Sequence, residues 1–192
     1  MEGKYRNKYR ISSPRLSNWD YGSHGLYFIT ICTKYRERYF GEIESVDDPN
    51  MGNVLETQSI ATLRATNIGK IAHNNFEKIP IFHPYVELDD FVIMPDHVHG
   101  ILFINKPDKA NWEPNKFGAQ RKNLASIIRG YKSSVTTFAT TNDVRFIWQP
   151  RYYDRVIRTE KEYLNIKSYI QDNPDQWYRN GEDFNNLFKP QK

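Results

Sequence analysis

Short apolar runs of strand character alternate along the chain with stretches of helical spacing. Leu26 to Thr33 (LYFITICT) is rich in β-branched and aromatic residues and is bounded by Gly25 and Lys34, the composition of a strand. Tyr39 to Ile43 predicts the return limb of a hairpin, and Val46 to Asn53, with its Asp, Pro, Gly and Asn, a loop. From Thr57 to Lys78, residues Ile60, Leu63, Ile68, Ile71, Ala72 and Phe76 recur at helical spacing and predict one long helix ended by Pro80 and Pro84. Tyr85 to Met94 and His97 to Ile104 form the clearest hairpin in the chain, two strands joined across a Pro-Asp turn.

Lys106 to Gln120 has no periodicity and reads as an exposed insertion. Asn123 is placed to cap a helix running to about Ala139, with Leu124, Ile127, Ile128, Tyr131, Val135 and Phe138 on one face. Phe146 to Trp148 and Tyr152 to Ile157 read as extended chain broken at Pro150. Thr159 followed by Glu162 is a capping-box signature, and the helix it opens should stop at Asp172 or Asn173, because Pro174 disfavours helical geometry in the residue before it. This order of elements predicts an α+β fold, an antiparallel sheet with helices on one side.

With 192 residues the chain has the size of one ordinary domain. The expected organisation is a basic arm over residues 1–20, a domain over 21–180 and a C-terminal tail over 181–192, whose Phe184, Leu187 and Phe188 could pack locally with Trp177. Apolar residues make up 39% and charged residues 26%, which excludes disorder and fibrous repeats. No apolar run reaches the roughly 18 residues of a membrane span, and the single Cys32 has no partner for an internal disulfide. Both point to a cytoplasmic protein without a membrane partner. The net charge of +4 is compatible with nucleic acid, and the arm concentrates Lys4, Arg6, Lys8, Arg10 and Arg15 around Tyr5 and Tyr9, a pattern suited to a phosphate backbone or to a solvated tail.

His97 and His99 stand two apart on a predicted strand, so both imidazoles leave the same face and can reach one ion. An ion held by two neutral imidazoles keeps open positions for phosphate oxygens and water. Two partly buried or surface histidines would give the same pattern. Tyr169 and Asn173, four apart on the last predicted helix, share a face. A tyrosine is a feasible covalent nucleophile when a cation or base assists it, and it is equally a packing residue in a chain with 13 tyrosines. Tyr152 and Tyr153 would face opposite sides of a strand, and His24, His73 and His83 have no close ligand partner in the sequence. Arg129 and Lys132 on the second long helix, with Arg151, Arg155 and Arg158 beside the last strand, are candidate DNA contacts or solvated charges. Trp148, Tyr152 and Trp177 could stack unpaired bases or fill core.

The stretch Glu87-Leu88-Asp89-Asp90-Phe91-Val92-Ile93-Met94-Pro95-Asp96-His97-Val98-His99-Gly100 resembles the segment around the two-histidine (HUH) motif of REP-associated tyrosine transposases, relatives of the single-tyrosine insertion-sequence transposases. Four further blocks are similar in the same order: Asp20-Tyr21 with Tyr27 to Thr33; Phe40 to Ile43; Ile127 to Ser133; and Trp148-Gln149 through Tyr152-Tyr153-Asp154 and Ile157-Arg158 to Tyr169-Ile170 and Asn173-Pro174-Asp175-Gln176-Trp177. The resemblance covers roughly residues 10 to 180. It implies a ferredoxin-like or RRM-like fold carrying His97 and His99 as ligands for Mg²⁺ or Mn²⁺. It implies Tyr169 as a nucleophile that cleaves and rejoins single-stranded DNA at hairpin-bearing sites through a 5′-phosphotyrosine. Asn173 matches a position where the wider class often has Gln, one methylene longer, and Asp96 one where many relatives have Asn. The family includes both monomers and homodimers. Two other readings follow from the same residues: a DNA-binding protein that keeps the fold without transposing, and a metal-dependent phosphodiesterase without a covalent step.

Overall fold

A computed structural model describes residues 19–46, 60–106 and 121–180. The arm before Trp19, the loop beyond Val46, the insertion beyond Lys106 and the tail beyond Asn180 lie outside the described residues.

The central layer is an antiparallel four-stranded sheet in the order β4-β5-β1-β6, formed by β1 (Gly25–Cys32), β4 (Val86–Met94), β5 (His97–Ile104) and β6 (Tyr153–Ile157). The expected antiparallel sheet is therefore present, with the β4–β5 hairpin forming one side of it and β5 and β1 its central pair. β2 (Gly41–Val46) does not return onto β1 as the hairpin reading predicted. It pairs with β3 (Ile60–Ala65) in a separate two-stranded ribbon.

The helix expected from Thr57 to Lys78 is thus half strand. Ile60 and Leu63 satisfy helical spacing, yet they stand in β3, and α1 (Asn67–Glu77) begins only after Thr66, whose hydroxyl accepts the Gly69 N–H at 3.1 Å. Gly69 is needed where it stands, because a Cβ there would lie 2.0 Å from the Phe40 carbonyl oxygen. The far end agrees with the expectation, since α1 stops at Glu77 with Lys78 as its C-cap, but Pro80 is not in coil. It sits at the start of the short helix α2 (Ile79–Phe82), where its missing N–H costs nothing. Phe146 to Trp148 is coil apart from a bridge between Thr33 and Trp148.

α3 (Leu124–Thr141) starts where expected, with Asn123 and Ser126 capping one another's backbone N–H groups at 3.0 Å. α4 (Glu160–Asn180) runs straight past Pro174. The proline removes one backbone donor, but burial of Trp177 beyond it holds the additional turn on the sheet.

Helices cover both faces of the sheet, not one. Tyr27, Ile29, Ile31, Val98, Leu102 and Ile104 point towards α1 and α3 and build the larger apolar core. Phe28 and Ile101 point the other way, under Ile166, Tyr169 and Ile170 of α4. The alternation along β1 and β5 sends the even-numbered β1 residues and odd-numbered β5 residues to the α4 side. Among the described residues no helix is long and apolar enough to cross a membrane.

Candidate active site

Strand parity decides which face His97 and His99 occupy. Both lie on the α4 side of β5, fully buried, and β1 sets Cys32 opposite His97 and Thr30 opposite His99. The two Nε2 atoms approach to 2.9 Å. Each ring is held at its other nitrogen: His97 Nδ1 lies 2.6 Å from Asp96 Oδ1, and His99 Nδ1 lies 2.9 Å from the Thr30 hydroxyl. Asp96 Oδ2 is in turn paired with Arg36 Nε at 2.9 Å.

α4 closes the site. Tyr169, Asn173 and Trp177 recur every fourth residue and so share one face of the helix. The Tyr169 hydroxyl is 3.1 Å from His99 Nε2, and one end of the stripe is fixed by this contact. The other end is fixed by Trp177, whose ring centroid lies 6.0 Å from that of His97. Asn173, 2% exposed, stands between them, one helical turn from each. The phenol is walled by Phe28, whose ring also stacks on His99 at 5.5 Å.

The donor set fits a divalent cation. A carboxylate can only accept, so the Asp96 contact puts the His97 proton on Nδ1 and leaves the Nε2 lone pair facing His99. Thr30 can take the Nδ1 proton of His99 in the same way, and a ligating histidine characteristically engages its second nitrogen like this. At 2.9 Å the two Nε2 atoms are at hydrogen-bond distance, one ring donating when its proton sits on Nε2, and the same arrangement offers both nitrogens to a shared ion when neither is protonated there. Among the described residues no group of three or more His, Cys, Asp and Glu is assembled that could hold an ion, and Asn173 is the amide that α4 carries on the same face as Tyr169.

The other candidates divide between the two faces. Arg155 lies on the α4 side and pairs with Glu162, and Arg158 stands over the Trp19 ring at 5.6 Å. Arg151 is exposed, with a left-handed backbone (φ 67°), in the turn before β6. Arg129 and Lys132 are on α3, behind the opposite face, and are not brought to the imidazoles. The Lys132 ammonium donates to the carbonyls of Gln149 and Arg151 at 2.7 and 3.0 Å, and burial pulls its pKa down. Tyr152, just before β6, packs on the α1/α3 side and Tyr153 on the α4 side. Tyr163 donates to Asp89 Oδ2 at 2.7 Å, away from the pair. His24 meets Phe103 edge-on, His73 lies near Glu77 and His83 contacts Tyr85.

Thr30 and Arg36 escaped the sequence reading, because their roles depend on the pairing of β1 with β5 and on a turn distant in sequence. Asp96 was visible only as the neighbour of His97.

A protein of Haemophilus influenzae, itself uncharacterized, is 38% identical over 176 residues, spanning 86% of this chain and 88% of its own length. The chain belongs to the same family as that protein. No family model matches this family member. Among solved structures, a REP-associated tyrosine transposase bound to a REP hairpin aligns with a TM-score of 0.53 and 20% identity, over 86% of this chain and 74% of that one. At that identity the likeness is one of fold.

Proposed function

We propose that this chain is a transposase-type DNA strand-transfer enzyme of the HUH class, in which Tyr169 is the nucleophile and His97, His99 and Asn173 hold Mg²⁺ or Mn²⁺. The observation that carries the reading is the convergence, within one chain, of the Tyr169 hydroxyl and two imidazole Nε2 atoms, at 3.1 and 2.9 Å. All of these groups come from a single subunit, so a homodimer is not required to complete the site. The fold shared with a hairpin-bound transposase supports single-stranded or hairpin DNA as substrate. The domain spans residues 21–180, with the basic arm and the tail as flanking segments.

The cation would polarise the scissile phosphoryl group and offset its charge. The phenol oxygen of Tyr169 forms a bond to phosphorus as the bond from phosphorus to the 3′-oxygen breaks. The phenol loses its proton, the 3′-oxygen gains one, and the 5′-phosphate remains on the enzyme. Because the phosphodiester energy is retained in that ester, a second strand's hydroxyl can displace the tyrosine without ATP. The Asp96 and Thr30 contacts keep the two imidazole Nε2 atoms turned towards one another, where His97 and His99 would hold the cation, and the Phe28 ring packs edge-on against the phenol.

His97 and His99 are 0% exposed and Tyr169 is 4% exposed, so DNA entry is coupled to a shift of α4 away from the sheet. Such a shift is eased by the polar latch on which the middle of the helix rests, Tyr163 and Lys167 on Asp89 and Gln171 on Asp90. Arg151, Arg155 and Arg158, at the β6 edge, are the phosphate contacts nearest this opening; Arg129 and Lys132 would serve only DNA that wraps to the other face.

The test is covalent trapping on hairpin-bearing single-stranded DNA with Mn²⁺. A protein–DNA adduct is expected and should be lost in Tyr169→Phe. Binding without any adduct would favour a DNA-binding protein that no longer transposes, and turnover that survives Tyr169→Phe would favour a phosphodiesterase without a covalent step.

A further inference from the structure

The turn after β1 is strained without glycine. Tyr35 and Arg36 both have φ of 58°, a region that side-chain-bearing residues rarely occupy singly and scarcely ever in succession. The surrounding chain pins this turn onto the β4–β5 connection. Thr33 N–H donates to the Asp96 carbonyl at 2.9 Å, Phe40 N–H donates to the Pro95 carbonyl at 2.9 Å, and the Thr33 hydroxyl lies 2.7 Å from the Glu37 carbonyl. The strained conformation aims the Arg36 guanidinium inward, where Nε meets Asp96 Oδ2 at 2.9 Å and Nη1 meets Cys32 Sγ at 3.0 Å. The Asp96 side chain is 6% exposed, and its other oxygen is the one at 2.6 Å from His97 Nδ1.

We propose that Arg36 is a positioning residue for His97, acting through Asp96. With Oδ2 fixed by the guanidinium, the carboxylate can turn only Oδ1 towards the imidazole. That contact selects the tautomer protonated on Nδ1, sets the rotation of the ring, and leaves the Nε2 lone pair facing His99. Without Arg36 the carboxylate is free to rotate, and the ring can take its proton on Nε2, where it would block the shared position between the imidazoles. The strain at Tyr35 and Arg36 then has a purpose, since a relaxed turn would carry the guanidinium away from Asp96. At His99 the Nδ1 contact is to the Thr30 hydroxyl, which either donates or accepts.

The inference assumes the metal reading only for its consequence, not for its geometry, and two measurements keep these apart. Imidazole ¹⁵N spectra of the metal-free protein, recorded at mildly alkaline pH, should show His97 protonated on Nδ1 in the wild type. Mixed tautomers are expected in Arg36→Ala and Asp96→Ala, with Asp96→Asn intermediate because its amide oxygen can still accept. Mn²⁺ affinity, followed by the paramagnetic signal of the free ion, should fall about 10- to 100-fold in Arg36→Ala. Arg36→Lys guards against misfolding, since it keeps the charge but cannot span Asp96 and Cys32 together, and it should lie between wild type and alanine in both readouts. A wild-type His97 protonated on Nε2, or a folded Arg36→Ala protein with an unchanged tautomer, would overturn the proposal. Wild-type protein that shows the Nδ1 tautomer but fails to bind Mn²⁺ would overturn the metal reading while leaving the Arg36 assignment intact.

Discussion

The two faces of the sheet are built from opposite materials. Towards α1 and α3 it carries a continuous apolar layer of aromatic and branched side chains, with Phe76 stacked on Phe91 and meeting Tyr131 edge-on. Towards α4 a smaller apolar cluster is interrupted by buried histidines, a tyrosine and an asparagine, and the helix above them rests partly on the half-exposed Asp89–Lys167 pair. Apolar burial contributes most of a domain's stability, whereas half-exposed ion pairs contribute little. The first face therefore holds the fold together, and the second can afford to open.

Truncating Phe76→Ala on the stabilising face should have the largest effect, a loss of about 3–5 kcal/mol in chemical denaturation. Covalent trapping by the protein that remains folded should be unaffected. Gly100→Ala comes next. The new methyl would sit 2.7 Å from the Phe76 ring, and the overpacking should cost about 1–3 kcal/mol. The division between faces would be broken if either variant abolished trapping while still folded.

Asp89→Asn on the α4 side should cost less than about 1 kcal/mol. It should nevertheless speed amide hydrogen exchange in α4 more than in α3. Burial alone would raise the Asp89 pKa, but the hydrogen bonds from Tyr163 and Lys167 outweigh it and hold the carboxyl below its ordinary value near 3.8. Its contribution is therefore fully present above that value and is lost as pH falls through the depressed one. α3 contains no Asp or Glu, so acidification should lower the exchange protection of α4, relative to the intrinsic amide rate at each pH, before that of α3. Simultaneous loosening of both helices would show that the faces are not energetically distinct.

The parts of this architecture legible in the sequence are those fixed by near neighbours. The β4–β5 hairpin, β1, the Asn123 cap of α3 and the shared face of His97 and His99 all follow from local pattern and strand parity. Where partners are distant, local pattern misleads. Ile60 and Leu63 suit a helix as well as a strand, and pairing with β2 decides for the strand. Pro174 reads as a stop, and the buried Trp177 overrides it. Of the candidate site, Tyr169 falls on a helix by its spacing, but its approach to His99 depends on which face α4 covers, and element order does not distinguish helices on one side from helices on both. Arg36 was out of reach altogether, because nothing in a Tyr-Arg pair announces a left-handed turn.

The shared orientation of the two imidazoles has a consequence for how this lineage can change. β5 slipping against β1 by one residue would keep every ladder bond available but exchange inside for outside: Val98 and Gly100 would face α4, and both histidines would be driven into hydrocarbon. Length changes close to the Pro95-Asp96 corner are thus strictly forbidden, since an odd one reverses the parity of every residue in β5.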